Sequence, residues 1–177
     1  MAPFPRLLLA LSLAVTLSAC GYHLQRTRNL PPVMQRTLIV GADPYGDLTR
    51  ELIRALSSAN VTVVKTPDRA TAQLHILTDS SDQTVVSVDS HDRPQAYELQ
   101  YTVKFSVTHD KQTWLAPQTV SLNRTYVFDP DNVLAGNQEA RRLLQAMRGD
   151  LVQVILRRLA AIKPPVRAAE KPVQKSP

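Results

Sequence analysis

The sequence predicts an α+β fold class: two helices packed on one face of a mainly antiparallel (mixed) β-sheet of about four or five strands. Three observations predict it. Between residues 72 and 128 apolar side chains alternate with polar ones, the period of a strand with one buried face. Over 47–59 and 138–162 the apolar spacing changes to three and four residues, the period of a helix with one buried stripe. Between these runs stand clusters of Pro, Gly, Asn and Asp, residues that favour turns.

The elements follow in order. Thr37 to Val40 reads as a first strand, and Gly41 to Asp47 as a turn. Asp47 is the expected N-cap of a helix that runs to about Ala59. Leu48, Leu52, Ile53 and Leu56 form its stripe, with Arg50, Glu51 and Arg54 elsewhere on its surface; Asn60 is a stop signal. Val61 to Val64 reads as a short strand. Ala72, Leu74 and Ile76 begin a long one that continues through Thr84 to Val88, past a bulge expected near Ser80-Ser81-Asp82.

Ser90 to Pro94 forms a hairpin loop. The clearest strand follows at 97–107, where Tyr97, Leu99, Tyr101, Val103, Phe105 and Val107 alternate without interruption. His109 to Gln112 leads to another strand, Gln118 to Phe128, whose apolar face is interrupted by Arg124. After Asp129-Pro130-Asp131-Asn132 comes a long helix, from about Gln138 to Ile162, striped by Ala140, Leu144, Met147, Leu151, Val154, Ile155 and Leu159. Gly149 interrupts it at a cost of about 1 kcal/mol relative to Ala, so packing must make up the difference.

The N-terminus carries a different signal. Arg6, an apolar run from Leu7 to Leu17 and the small residues Ser18 and Ala19 have the form of a secretory signal peptide, too short for a comfortable membrane span. Leu17-Ser18-Ala19-Cys20 resembles the lipobox of bacterial lipoproteins, in which the cysteine is acylated and becomes the first mature residue. Two or three acyl chains would hold the protein at a membrane effectively permanently, where one would bind only marginally. Cys20 is the chain's one cysteine, so it has no internal disulfide partner, and lipidation would cap its thiol. Two other readings stay open: ordinary cleavage that leaves a free thiol near the new terminus, and an uncleaved helix that keeps it. In lipoproteins an Asp after the cysteine commonly retains the product at the inner membrane. Here the residue is Gly21, which points to the periplasmic side of the outer membrane.

The expected organisation is therefore a signal peptide (1–19), a lipidated tether (20–36), a single domain (37–162) and a disordered, basic, Pro-rich tail (163–177). Loss of Arg6 takes the formal charge from +6 to +5. At the periplasmic face such a charge favours lipid phosphates over nucleic acid as partners. No catalytic or metal constellation is legible: His23, His75, His91 and His109 are scattered, and no Gly-rich loop or serine elbow occurs. Asp79, Asp82, Asp89 and Asp92 read as turn carboxylates, and Arg141, Arg142, Arg148, Arg157 and Arg158 as the solvent face of a helix. No enzyme activity and no cofactor is expected.

Three segments carry a family resemblance. Cys20-Gly21-Tyr22-His23-Leu24 is similar to the start of the LPS-assembly lipoprotein LptE family. Arg124 to Asp129, followed by Val133-Leu134-Ala135 and Glu139, resembles its passage from strand to helix, and Met147-Arg148 to Leu159 its last helix. Ala96-Tyr97-Glu98-Leu99 matches in order and spacing. The resemblance implies a plug inside the outer-membrane β-barrel LptD that supports its assembly and binds lipopolysaccharide. It also implies basic residues at the hairpin and at the entry to the last helix. The hairpin offers Arg93, and Arg124 is a second candidate lipopolysaccharide-binding residue, but Gly136 stands where relatives often carry Lys. The alternative reading is a periplasmic accessory lipoprotein of another transporter or secretion apparatus.

Overall fold

The computed structural model describes residues 30–41 and 43–163. The proposed lipidation site Cys20, the Gly21 to Leu24 segment and the tail beyond Lys163 lie outside the described residues. In chain order the elements are β1 (Arg36–Val40), α1 (Asp47–Ser58), β2 (Thr62–Val64), β3 (Ala72–Val88), β4 (Pro94–His109), β5 (Gln112–Val127) and α2 (Val133–Ala160). The five strands form one sheet in the order β2-β1-β3-β4-β5. β1 runs parallel to β2 and β3, whereas β3, β4 and β5 are joined by two long antiparallel ladders.

The alternation in β4 decides which face is buried. Leu99, Tyr101, Val103, Phe105 and Val107 are at most 4% exposed, while Gln100 and Lys104 on the opposite face are exposed. Directly opposed residues share a face, so Leu99, Tyr101 and Val103 carry their partners Arg124, Leu122 and Val120 of β5 onto the core side. There Met147, Leu151, Ile155 and Leu159 of α2 meet the sheet in one core with Leu48, Leu52 and Leu56 of α1. Full burial of each such side chain contributes about 1.5–3 kcal/mol. Helices on one side and a polar face on the other are what two layers require.

Several local expectations change. The bulges of β3 do not fall at Ser80 to Asp82; register shifts lie between Ile76 and Thr78 and between Val85 and Val88. The polar stretch stays in the ladder because its inward residues find tyrosine hydroxyls. Tyr101 donates to Asp79 at 2.7 Å, and Gln83 donates to Tyr126 at 3.1 Å. Asp79 is thus a strand carboxylate and not a turn residue. The extra residue at the first bulge is Leu77, which the shift leaves half exposed.

β5 begins at Gln112, not at Gln118. Pro117 lies inside β5 and is tolerated because β5 is an edge strand and its register shifts there, between the partners of Phe105 and Val107. The connection to β4 is a two-residue turn with positive φ at Asp110 (47°) and Lys111 (62°), the backbone that matches strand twist. α1 has Gly46 as its N-cap, and Asp47 is its first helical residue, making no side-chain cap. Its carboxylate is instead held by Arg50 and Arg148. Ile53, assigned to the buried stripe, is 37% exposed. Asn60 ends the helix as expected, with φ of 61°, while Val61 N–H donates to Leu56 O and Asn60 N–H to Ser57 O. α2 starts at Val133, five residues before the periodic stripe becomes clear, with Asn132 as N-cap.

Candidate functional site

The β3–β4 hairpin builds one cleft. Asp92 takes a positive φ of 59°, closing the loop so that the two backbone N–H groups of His91 and Arg93 donate to Asp89 Oδ1 at 2.7 and 2.9 Å. Arg93 Nε then donates to Asp89 Oδ2 at 2.8 Å. The Arg93 backbone donor, with that of His91 and the guanidinium, holds the Asp89 carboxyl below the usual range against the opposing effect of burial. In turn the bond to Asp89 strengthens the hold of Arg93 on its proton. Arg93 and Asp89 line a 540 Å³ cleft with Gln95, Phe128, Asp129 and Asp131. Arg93 Nη1 lies 3.6 Å from Asp131, too long for a hydrogen bond. Its Nε edge is hydrogen-bonded to Asp89, and its terminal edge is in a longer ion pair with Asp131.

Arg124 is on the core side of β5, as its ladder partner Leu99 requires. Its break in the apolar pattern is explained by α2: Nη2 donates to Asp150 at 2.9 Å, an ion pair with both side chains about half exposed. The hairpin cleft does not include Arg124, so the two sequence candidates are not brought into one pocket. Gly136 is buried, and a Cβ there would meet the Phe128 ring at 2.6 Å. The position at which the resemblance implies Lys is filled by that ring.

A second cluster escaped the sequence reading. Arg148, assigned to the solvent face, has a side chain only 20% exposed. It reaches Asp47 at 3.1 Å, donates to the Tyr101 hydroxyl at 3.4 Å and lies over the Tyr101 ring at 5.8 Å. Burial, reinforced by the bond to Asp79, pushes the Tyr101 hydroxyl up to about 12. Arg158 also leaves the solvent face, donating to Gln118 and to the carbonyl of Thr119. The only available signal was the helical spacing of Leu144, Arg148 and Leu151, which places Arg148 at the edge of the buried stripe.

Among the described residues, no three His, Cys, Asp or Glu side chains gather as a metal site, and no helix is long and apolar enough to cross a membrane. His75 is bonded to Thr108, His91 to Ser90, and His109 to the Thr71 carbonyl and Asp110. Fold and clefts together define the class: a two-layer α+β domain with charged clefts at the hairpin tip and between its helices. The solved structure of rare lipoprotein B from Shewanella oneidensis is similar, with a TM-score of 0.63 and 28% identity, covering 71% of this chain and 94% of that one. The LPS-assembly lipoprotein LptE of Yersinia enterocolitica is 35% identical over 88% of this chain and 76% of its own length. That of Pectobacterium atrosepticum is 31% identical over 87% and 84%. The sequence model of the family LptE, Lipopolysaccharide-assembly, matches residues 35–159. The chain belongs to the LptE family.

Proposed function

We propose that this chain is an outer-membrane lipoprotein that supports lipopolysaccharide assembly by plugging the β-barrel LptD and binding lipopolysaccharide, without catalysing a reaction. The observation that carries this reading is the family match over 35–159, a span that takes in nearly all of the two-layer domain from β1 into the last turn of α2. The physics is compatible. A plug in the polar interior of a large barrel needs a polar exterior, and the outward face of the sheet presents Gln100, Lys104, Ser121, Asn123 and Thr125. Cys20 is the proposed lipid attachment point, and its acyl chains would hold the domain at the periplasmic side of the outer membrane.

Arg93 is the proposed phosphate contact at the hairpin: Asp89 fixes its direction, and a phosphate would displace the longer pairing of its terminal edge with Asp131. Arg124 would act through a guanidinium already oriented by Asp150. Purification of the full chain from detergent extracts through its C-terminal tail, combined with depletion in cells, tests the whole reading. A large barrel should co-purify, and lipopolysaccharide should fail to reach the surface when the chain is depleted. Normal surface lipopolysaccharide without an associated barrel would refute it. Arg93→Glu should weaken lipopolysaccharide binding, more strongly at low salt; unchanged binding would remove that residue from the site.

A further inference from the structure

Between α1 and α2 lies a groove that the hairpin site does not include. Its volume is 440 Å³, within the roughly 300–1,000 Å³ of small-molecule clefts. Helical spacing aims its charges. Arg50 and Arg54 are one turn apart on α1, and Arg141 and Arg148 are two turns apart on α2, so four guanidinium groups line the two walls around Leu144. Asp47 and Glu51 are the acids of the groove, leaving a net charge of +2 from four arginines and two carboxylates. Asp47 is shared between Arg50 and Arg148, and Glu51 pairs with Arg54. The Arg141 side chain has neither an ionic nor a hydrogen-bonding partner among the described residues.

We propose that this interhelical groove is a phosphomonoester site, separate from Arg93. A phosphomonoester carries between about −1.5 and −2 at neutral pH, which matches the +2 excess; a carboxylate would leave half of it uncompensated. Its three oxygens accept from guanidinium forks on two sides at once. Asp47 and Glu51 hold the arginines in place when the groove is empty and compete with the ligand when it fills. That the phosphate belongs to lipopolysaccharide rests on the function proposed above; the groove chemistry alone equally admits free phosphate.

The test uses the full mature chain in detergent, titrated calorimetrically with inorganic phosphate, with lipopolysaccharide and with dephosphorylated lipopolysaccharide. Arg54 and Arg141 are exposed, so Arg54→Gln combined with Arg141→Gln should leave the thermal melt unchanged. The double variant should bind inorganic phosphate and lipopolysaccharide about tenfold more weakly, as expected from the loss of two solvent-exposed charge pairs, and dephosphorylated lipopolysaccharide as the parent does. Asp47→Asn should tighten both phosphate probes. Parental affinity of the double variant for both probes overturns the groove as a phosphate site. If the arginines matter for inorganic phosphate but not for lipopolysaccharide, the lipid source is overturned and a free-phosphate site is supported. A parent chain that does not bind lipopolysaccharide at all refutes the lipopolysaccharide reading, while the inorganic phosphate arm still decides the groove.

Discussion

The Phe128 ring occupies the space that a side chain on Gly136 would need, with Cδ2 and Cε2 at 2.6 and 2.8 Å from an ideal Cβ. Gly136→Lys should therefore displace the ring and its edge-on contact with Tyr97, lowering stability by about 1–3 kcal/mol in chemical denaturation. A variant as stable as the parent would show that the ring moves freely. Gly149 is the opposite case: nothing lies within 4 Å of its missing Cβ. Gly149→Ala should stabilise by up to about 1 kcal/mol, raising the melting temperature, because only helix propensity changes; a lower melting temperature would contradict the open space. The cost of Gly149 was legible because propensity is a local property. The need for Gly136 was not, because it depends on a ring that arrives from the preceding strand. Arg124 was legible as an anomaly on an apolar face, but its partner Asp150 lies 26 residues away on another element.

At the scale of elements, local periodicity located both helices and the three long strands, and the misplacements have a common cause at the boundaries. The first turn of α2 is exposed apart from Gly136, so no apolar stripe announces it. Its start is set by Asn132, whose side-chain oxygen accepts from Ala135 N–H at 3.3 Å. Asn132→Ala should cost about 1 kcal/mol and fray the turn that carries Gly136, measurable as faster amide exchange at Ala135 and Gly136. Unchanged exchange would mean that packing on Phe128 alone secures the helix start. The start of β5 at Gln112 takes Pro117 into the strand, which depends on edge position and on a register shift, facts of pairing and not of local sequence. The Asp92 hairpin and the Asn60 stop were readable because turn chemistry is carried by the turn residues themselves.

Across the whole molecule, one polar chain ties both layers together: Asp79 of β3 to Tyr101 of β4, Tyr101 to Arg148 of α2, and Arg148 to Asp47 of α1. Tyr101, 4% exposed, is the most buried residue of the four. Burial and the Asp79 bond raise its folded-state value from 10.0 to about 12. In the unfolded chain the hydroxyl ionises near its ordinary value of about 10. The protonated form is thus favoured by folding. Its contribution is fully present below pH 10, declines as the unfolded chain begins to ionise, and is lost as pH rises through about 12. Over that window stability should fall by up to about 1.4 kcal/mol per pH unit from this group alone. Tyr126, also raised by burial, adds in the same direction. Tyr101→Phe should lower stability at neutral pH, because Asp79 loses its donor and Arg148 an acceptor, yet its stability should fall less steeply between pH 10 and 12. Urea midpoints for the parent and Tyr101→Phe across that range separate the two effects: parallel curves would show that the hydroxyl does not couple the layers to protonation.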